Sequence, residues 1–272
     1  MGTLCCSTQN LEFLEPSSSI SSSSPICREH FQIHKVLGRG TYGKVCLVSK
    51  FGSANLYAMK ILKKKAIDQN KQKRHTLTER KVLQNSDCHF IVKLFWAFQS
   101  KTKLYLVLEY LPGGELFFHL DRERCFSEPR AKFYCAEILV ALNYLHNNGI
   151  IYRDLKPENI LLDQEGHIRL TDFGLSKDGI ENSDYKTYTF CGTPDYFAPE
   201  ILENKGHTIA LDYWCLGAVL YFMLSGAPPF YSQNKKKTFK SILSTSVPLI
   251  KNTTDNANDL LQKLLKINVM IK

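Results

Sequence analysis

Near the middle of the chain stands Tyr152-Arg153-Asp154-Leu155-Lys156-Pro157-Glu158-Asn159, and twelve residues after Asn159 begins Thr171-Asp172-Phe173-Gly174. Two carboxylates, an amide and a lysine in this order restrict the fold more than any other feature, because they only make chemical sense if the chain gathers them in one place. Asp-Phe-Gly alone also fits an acidic turn. The pair of strings gains weight from further signals that precede and follow it in order.

Upstream, Phe31 to Leu37 reads as a strand, and Gly38-Arg39-Gly40-Thr41-Tyr42-Gly43-Lys44-Val45 leads into a second strand through Val48. A dinucleotide-binding turn has the same glycine spacing but needs a helix straight after the third glycine, whereas Lys44 to Val48 is rich in strand formers. Strand, glycine hairpin, strand lets backbone amides approach phosphates, so Leu37, Gly38, Arg39, Gly40, Thr41, Tyr42, Gly43, Lys44 and Val45 are candidate nucleotide contacts. Tyr57-Ala58-Met59-Lys60-Ile61-Leu62 is an apolar strand with one charge; Ala58 and Lys60 join the candidate set, Lys60 reaching the α- and β-phosphates. A solvated strand lysine is the alternative, and Lys63, Lys64 and Lys65 read as such a solvated run.

Thr76 to Leu83 reads as a helix on which Glu79 and Leu83 share a face, so Glu79 is the expected partner of Lys60; an exposed helical glutamate is the alternative. Leu104 to Tyr110 is a strand running into the hinge Leu111-Pro112-Gly113-Gly114, where backbone groups around Glu109 and Leu111 suit an adenine edge and Leu108 limits the depth behind it. Ser127 is expected to cap a long helix that continues to about His146 and stops at Asn147-Asn148-Gly149. Phosphoryl transfer from a nucleotide needs a carboxylate to orient the acceptor hydroxyl, for which Asp154 stands. It also needs magnesium ligands, here Asn159 and Asp172, and a cation to offset charge on the moving group, here Lys156.

On these strings the sequence resembles the eukaryotic protein kinases, specifically the AGC serine/threonine group, and its wording is most similar to the ribosomal-protein kinase branch. Tyr152 before Arg-Asp, Leu170-Thr171-Asp172-Phe173-Gly174, Thr189-Phe190-Cys191-Gly192-Thr193-Pro194 and Gly226-Ala227-Pro228-Pro229-Phe230 carry the resemblance. It covers about Phe31 to the last residue and implies an α+β, bilobal protein-kinase fold with a small β-rich N-lobe over 31–110 and a mainly helical, truncated C-lobe over 111–272; before it, the serine run Ser17 to Ser24 marks 1–30 as a disordered segment. The resemblance also implies ATP and Mg2+ as cofactors and protein substrates with a serine or threonine acceptor. Thr189 matches the activation-loop threonine, which an upstream kinase would phosphorylate and Arg153 would then bind. Thr193 matches the residue that helps select hydroxyl acceptors, and Asp212 the aspartate that braces the catalytic loop. Glu115, grouped with the binding residues, and Glu158 match carboxylates that take basic residues upstream of the acceptor; at Phe222, where the group commonly has an acid, this chain has an aromatic.

At the other end, Ala198-Pro199-Glu200 calls for an arginine partner, and Lys272 falls where it is expected. The pattern therefore reads as lacking the end of the C-lobe and the regulatory tail, with Leu260, Leu261, Leu264 and Leu265 expected to lie partly uncovered. Two rival readings follow: a nucleotide-binding pseudokinase or scaffold without transfer, and an interaction module that binds no nucleotide.

At 272 residues with 44% apolar content the chain can bury a substantial core. A net charge of +9 would suit nucleic acid or an anionic membrane, but no nucleic-acid motif accompanies it, and runs such as Lys235-Lys236-Lys237 are ordinarily solvated. Nine scattered cysteines without C-x-x-C spacing argue against zinc or a disulfide framework and for a reducing, cytoplasmic setting, with the nucleus as a further destination. Membrane association enters only through acylation of Gly2, Cys5 and Cys6, where Cys6 departs from the myristoylation pattern.

Overall fold

The computed structural model describes residues 25–40, 42–69, 73–180, 182, 185–244 and 246–267. Thr41, Lys272 and the acylation candidates Gly2, Cys5 and Cys6 lie outside the described residues. Of the segment expected to be unstructured up to residue 30, Arg28–His30 forms a 3-10 turn, because Phe31 directly after it is buried in a sheet and ties the chain down. The chain divides into two compact units: the first takes the part up to Lys71 together with Leu94–Tyr110, the second Gln72–Lys93 and Leu111–Lys272.

The first unit is an antiparallel sheet of β1 (Phe31–Arg39), β2 (Gly43–Lys50), β3 (Leu56–Lys63), β4 (Leu94–Gln99) and β5 (Lys103–Glu109), in the order β1-β2-β3-β5-β4, with the short helix α1 (Lys64–Gln69). Period-two alternation sorts its side chains. Cys46, Val48, Tyr57, Met59, Ile61, Tyr105 and Val107 form the core with Phe31, over which Trp96 and Phe98 pack. Lys63 is exposed as expected of a solvated run, whereas Lys64 is half-buried and donates to Gln99 Oε1 at 2.8 Å.

In the second unit, α2 (Lys73–Asn85) precedes a three-stranded sheet of β6 (Gly114–Glu115), β7 (Ile160–Leu162) and β8 (Ile168–Leu170). The helices are α3 (Leu116–Glu123), α4 (Glu128–Asn147), α5 (Pro199–Leu202), α6 (Ala210–Ser225), α7 (Lys235–Ser244) and α8 (Asp255–Leu264). The apolar run of α6 is buried over nearly its whole length, as are Ile138, Leu142 and Leu145 of α4. Each such side chain contributes roughly 1.5–3 kcal/mol relative to exposure. The α2 region joins this unit through Lys81 Nζ to Asp178 at 2.6 Å, Asp87 N to the Tyr144 hydroxyl, and a parallel bridge of Ile91 to Leu170.

Two local expectations need correction. Ser127 is the residue before α4, but its hydroxyl makes no capping bond; the helix starts on Pro129 and on the Ser127 carbonyl, which accepts from Ala131 N. Of the four leucines expected to be uncovered, Leu261 and Leu265 are buried and only Leu260 is exposed. The reason is Gly217 in α6: a Cβ there would stand 2.8 Å from Leu264 Cβ and 3.0 Å from Leu265 Cγ, so its absence lets α8 close on α6.

Candidate functional site

Asp154 sits in the loop between α4 and β7, and each of its carboxylate oxygens is answered. Oδ1 accepts from the Thr193 hydroxyl at 3.0 Å; Oδ2 accepts from Asn159 Nδ2 at 2.9 Å and lies 3.1 Å from Lys156 Nζ. Lys156 Nζ also donates to Thr193 Oγ1 at 2.9 Å, and Asn159 Nδ2 to the Asp154 carbonyl at 2.9 Å, which closes the ring. The loop thus brings Asp154, Lys156, Asn159 and Thr193 together. Such bonds lock a carboxylate in one orientation.

The loop is braced from below by Asp212 in the first turn of α6, which is fully buried. Its Oδ1 accepts from Arg153 N at 2.8 Å, and its Oδ2 from Tyr152 N at 2.9 Å and faces His146 Nε2 at 2.7 Å. The backbone needs this support, because Arg153 has φ +70°, in the left-handed region that costs a non-glycine residue roughly 1–2 kcal/mol. His146 has no motif around it in the sequence; only the return of α4 beside α6 makes it part of the brace.

Asp172 also lies at positive φ, +56°, at the start of the 3-10 turn Phe173–Leu175. Tyr152 fixes that turn: its ring packs edge-on against Phe173 at 5.1 Å, and its hydroxyl donates to the Thr171 carbonyl, while Thr171 N donates to the Asn159 carbonyl at 3.0 Å. Burial and the surrounding carboxylates push the Tyr152 phenol well above its ordinary range, keeping it a donor. On α2, Glu79 and Leu83 are both buried, the shared inward face their spacing called for.

The segment from Leu175 to His207 differs. Arg153 Nε donates to the Leu175 carbonyl at 2.6 Å, yet its Nη1 is buried without a partner among the described residues. The guanidinium lines a cavity of about 320 Å³ with Arg74, His75, Lys177, Lys186 and Thr189, so the candidate threonine and its expected cation share one cavity. Thr187 and His207 exchange both backbone hydrogen bonds, at 3.0 and 2.9 Å, and the His207 ring is buried with Nε2 unpartnered among the described residues. Burial, and then the Arg153 charge, pushes that imidazole down to about 4. No sequence signal pointed to His207.

Burial, and next the Glu158 carboxylate, pushes the Glu115 carboxyl up, and Glu158 Oε2 is buried without a hydrogen-bond partner among the described residues. Two carboxylates in one field suit a cationic ligand. Phe222 packs edge-on against Phe117 at 6.5 Å.

In the first unit, the register Val45 to Lys60 to Leu106, and Leu47 to Ala58 to Leu108, puts Val45, Ala58 and Lys60 on the face opposite the core. Leu37, Gly38 and Arg39 belong to β1, with Gly38 paired to Val45 and Arg39 to Lys44. Gly40 N donates to the Gly43 carbonyl at 3.0 Å, and the Tyr42 carbonyl accepts from Lys63 N at 3.1 Å. A Cβ on Gly43 would stand 2.0 Å from the Ile61 carbonyl oxygen, whereas at Gly38 and Gly40 it would meet nothing within 4 Å. Those two positions leave open space over exposed backbone. Glu109 ends β5 opposite Tyr57; in the second unit, Leu111 is buried and Glu115 pairs with Leu161.

A catalytic loop of this build, with the Asp-Phe-Gly turn behind it, belongs to one class: the chain is a member of the protein kinase domain family, which it matches over residues 31–270. It is 52% identical over 256 residues to the serine/threonine-protein kinase Sgk1 of Homo sapiens, covering 92% of this chain and 59% of that protein. Sgk1 of Gallus gallus gives the same figures, and Sgk1 of Xenopus tropicalis is 51% identical over 256 residues, covering 92% of this chain and 61% of its own length. The chain thus spans about three-fifths of the length of the curated relatives it matches. No helix among the described residues is long and apolar enough to cross a membrane.

Proposed function

We propose that the chain is an ATP-dependent protein serine/threonine kinase of intracellular signalling. The observation that carries this reading is the oriented Asp154 carboxylate, flanked by Lys156 and Thr193, which suits a base that receives a hydroxyl proton during transfer. Asp154 orients the serine or threonine hydroxyl, Lys156 offsets charge on the moving phosphoryl group, and Thr193 holds both in register. Asn159 commits its amide nitrogen to Asp154, which leaves its oxygen for a metal alongside Asp172. An amide oxygen and a carboxylate are the hard donors magnesium takes, and the open backbone at Gly38 and Gly40 fits a triphosphate. Mg2+ bound there supplies neutralisation of phosphate charge.

Lys60, with Glu79 as its counter-ion, positions the α- and β-phosphates, and backbone groups of Glu109 and Leu111 hold the adenine edge. The paired carboxylates Glu115 and Glu158 favour substrates with an arginine upstream of the acceptor. A second kinase acts on Thr189, whose phosphate docks on Arg153. The working compartment is the cytoplasm, with access to the nucleus. Within the AGC group we keep the ribosomal-protein kinase branch as the nearest in wording, a placement that a comparative peptide panel tests.

Transfer of label from ATP to a peptide with arginine three residues ahead of serine, lost in Asp172→Ala, is the expected result. Equal labelling by that variant rejects the reading. ATP with magnesium raising the melting temperature, with no labelling by the unaltered chain, would favour the pseudokinase instead.

A further inference from the structure

Ser127 is the one serine or threonine of the sequence with an arginine three residues ahead of it, in Arg124-Cys125-Phe126-Ser127. This is the spacing that the Glu115 and Glu158 carboxylates favour in the proposed function. Thr189 has a lysine at that place, Lys186, a point charge where an arginine offers a two-pronged fork to carboxylates. The stretch also lies where a second molecule can reach it. It connects α3 to α4, Arg124 and Ser127 are both exposed, and the Ser127 backbone is already extended, at φ −62° and ψ 149°. The Ser127 hydroxyl makes no capping bond, so its oxygen is not committed to the helix it precedes.

We propose that Ser127 is a phosphorylation site of this chain, modified by a second copy of it; the inference rests on the kinase reading above and names one substrate of that same site. Transfer within one copy is ruled out by α4. Ser127 precedes that helix, whereas the loop of Asp154 is held at its far end by Asp212 beside His146, about 30 Å of helix away. In the step, the Ser127 Oγ bonds to the γ-phosphorus of ATP on the other copy, the bond from that phosphorus to the β,γ-bridging oxygen breaks and ADP leaves. The hydroxyl proton passes to the Asp154 carboxylate of the copy that holds the ATP, and Arg124 meets its Glu115 and Glu158. The fold resists in one respect. Phe126 is 5% exposed, its N–H donates to the Met223 carbonyl at 2.7 Å, the Arg130 guanidinium lies 4.0 Å over its ring, and Arg124 stands at φ +71°. Offering arginine and serine together on an extended chain requires Phe126 to lift out, a local opening that makes transfer slower than on a free peptide of the same sequence. The product is accommodated: phosphate at the start of the 20-residue α4 meets the positive end of the helix dipole, and Lys251 on the wall of the adjoining groove balances Glu128.

The test mixes the full chain carrying Ser127→Ala, as the active copy, with a full-length Asp172→Ala copy as acceptor, adds labelled ATP with magnesium, and locates the label by peptide mapping. The expected result is phosphate on Ser127 of the acceptor, at a rate that rises with the concentration of the active copy and stays below that for a synthetic peptide of residues 119–131. Arg124→Gly in the acceptor suits the positive φ, and any freedom it adds favours labelling, so the expected fall of about tenfold or more reports the lost guanidinium. Ser127→Ala leaves labelling of the peptide with arginine three residues ahead of serine unchanged, since Ser127 belongs to the substrate and not to the active site. That peptide separates the two readings. If it is labelled while Ser127 is not, or while Arg124→Gly is labelled as fast as the unaltered acceptor, the proposal is overturned and the kinase reading stands; if neither the peptide nor Ser127 is labelled, both fail.

Discussion

Arg153 and Asp154 are neighbours in sequence and opposites in completeness. Every oxygen of Asp154 is engaged by side chains of its own loop or of Thr193, whereas Arg153 buries a guanidinium nitrogen with nothing to bond among the described residues, as His207 buries an imidazole nitrogen. An unpaired buried donor costs about 1–3 kcal/mol, so a fold keeps one where a later event supplies the partner. The difference teaches that the loop around Asp154 closes its own hydrogen bonds while the segment around Thr189 leaves buried nitrogens open, as the proposed phosphate on Thr189 would require. The sharpest break in that comparison is Asp154→Asn, which keeps the shape but loses the base. Peptide phosphorylation should fall by about 10²–10⁴-fold with the melting temperature nearly unchanged. Retained turnover would show that the ordered carboxylate is incidental.

Next in size is Asp212→Ala. It leaves the Arg153 and Tyr152 amides and His146 Nε2 without their acceptor in a fully buried setting, and at about 1–3 kcal/mol for each group left unpaired a loss of several kcal/mol is expected by denaturant unfolding. Asp212→Asn keeps one acceptor and should cost less. If both variants unfold like the unaltered chain, the positive φ of Arg153 needs no brace.

Thr189 tests the unfinished side. A phosphate there, installed enzymatically or by synthesis, is expected to add one to three charge-assisted hydrogen bonds from Arg153 and its cationic neighbours, slowing proteolysis of the segment and raising stability by roughly 1–3 kcal/mol. The gain should shrink in Arg74→Ala and at high salt. An unaltered cleavage rate on phosphorylation would mean that the cavity beside Thr189 is not its receptor.

The two regions were unequally legible in the sequence for the same reason. Asp154, Lys156 and Asn159 are close along the chain, and their residue types state their roles; α2 and β5 announce themselves by apolar spacing, and Glu79 by sharing a face with Leu83. Asp212 was reached only through family resemblance, since nothing near it in sequence says which amides it accepts from, and its partner His146 was not reached at all. The hydroxyl of Ser127 failed as a cap because helix-start patterns record residue type and not the rotamer. Leu260 and Leu264 are partly uncovered as expected, but Leu265 was misjudged because what admits it to the core is Gly217, a residue whose contribution is the space it leaves. Orphaned atoms such as Arg153 Nη1 have no sequence signature; they exist only once the walls around them are in place.

The smallest effect expected is the pH response of His207, and it sharpens the comparison because it reports on the same charge deficit. Burial and the Arg153 guanidinium hold the folded imidazole down to about 4, while an imidazole in the unfolded chain titrates near 6.5. Below pH ~6.5 the unfolded chain therefore binds a proton that the folded chain refuses, and stability is lost as pH falls toward about 4, below which this contribution is flat. The loss amounts to about 2 kcal/mol, allowing for partial screening of the ring. Asp212 acts in the opposite direction on His207, so it softens the loss without reversing it. His207→Gln should remove this part of the acid sensitivity, and a phosphate on Thr189 should reduce it, since an anion beside Arg153 offsets the charge that opposes protonation. Denaturant unfolding at pH 7 and pH 5 for the three forms measures this; equal pH slopes would place the unpaired imidazole outside the electrostatics of the activation segment.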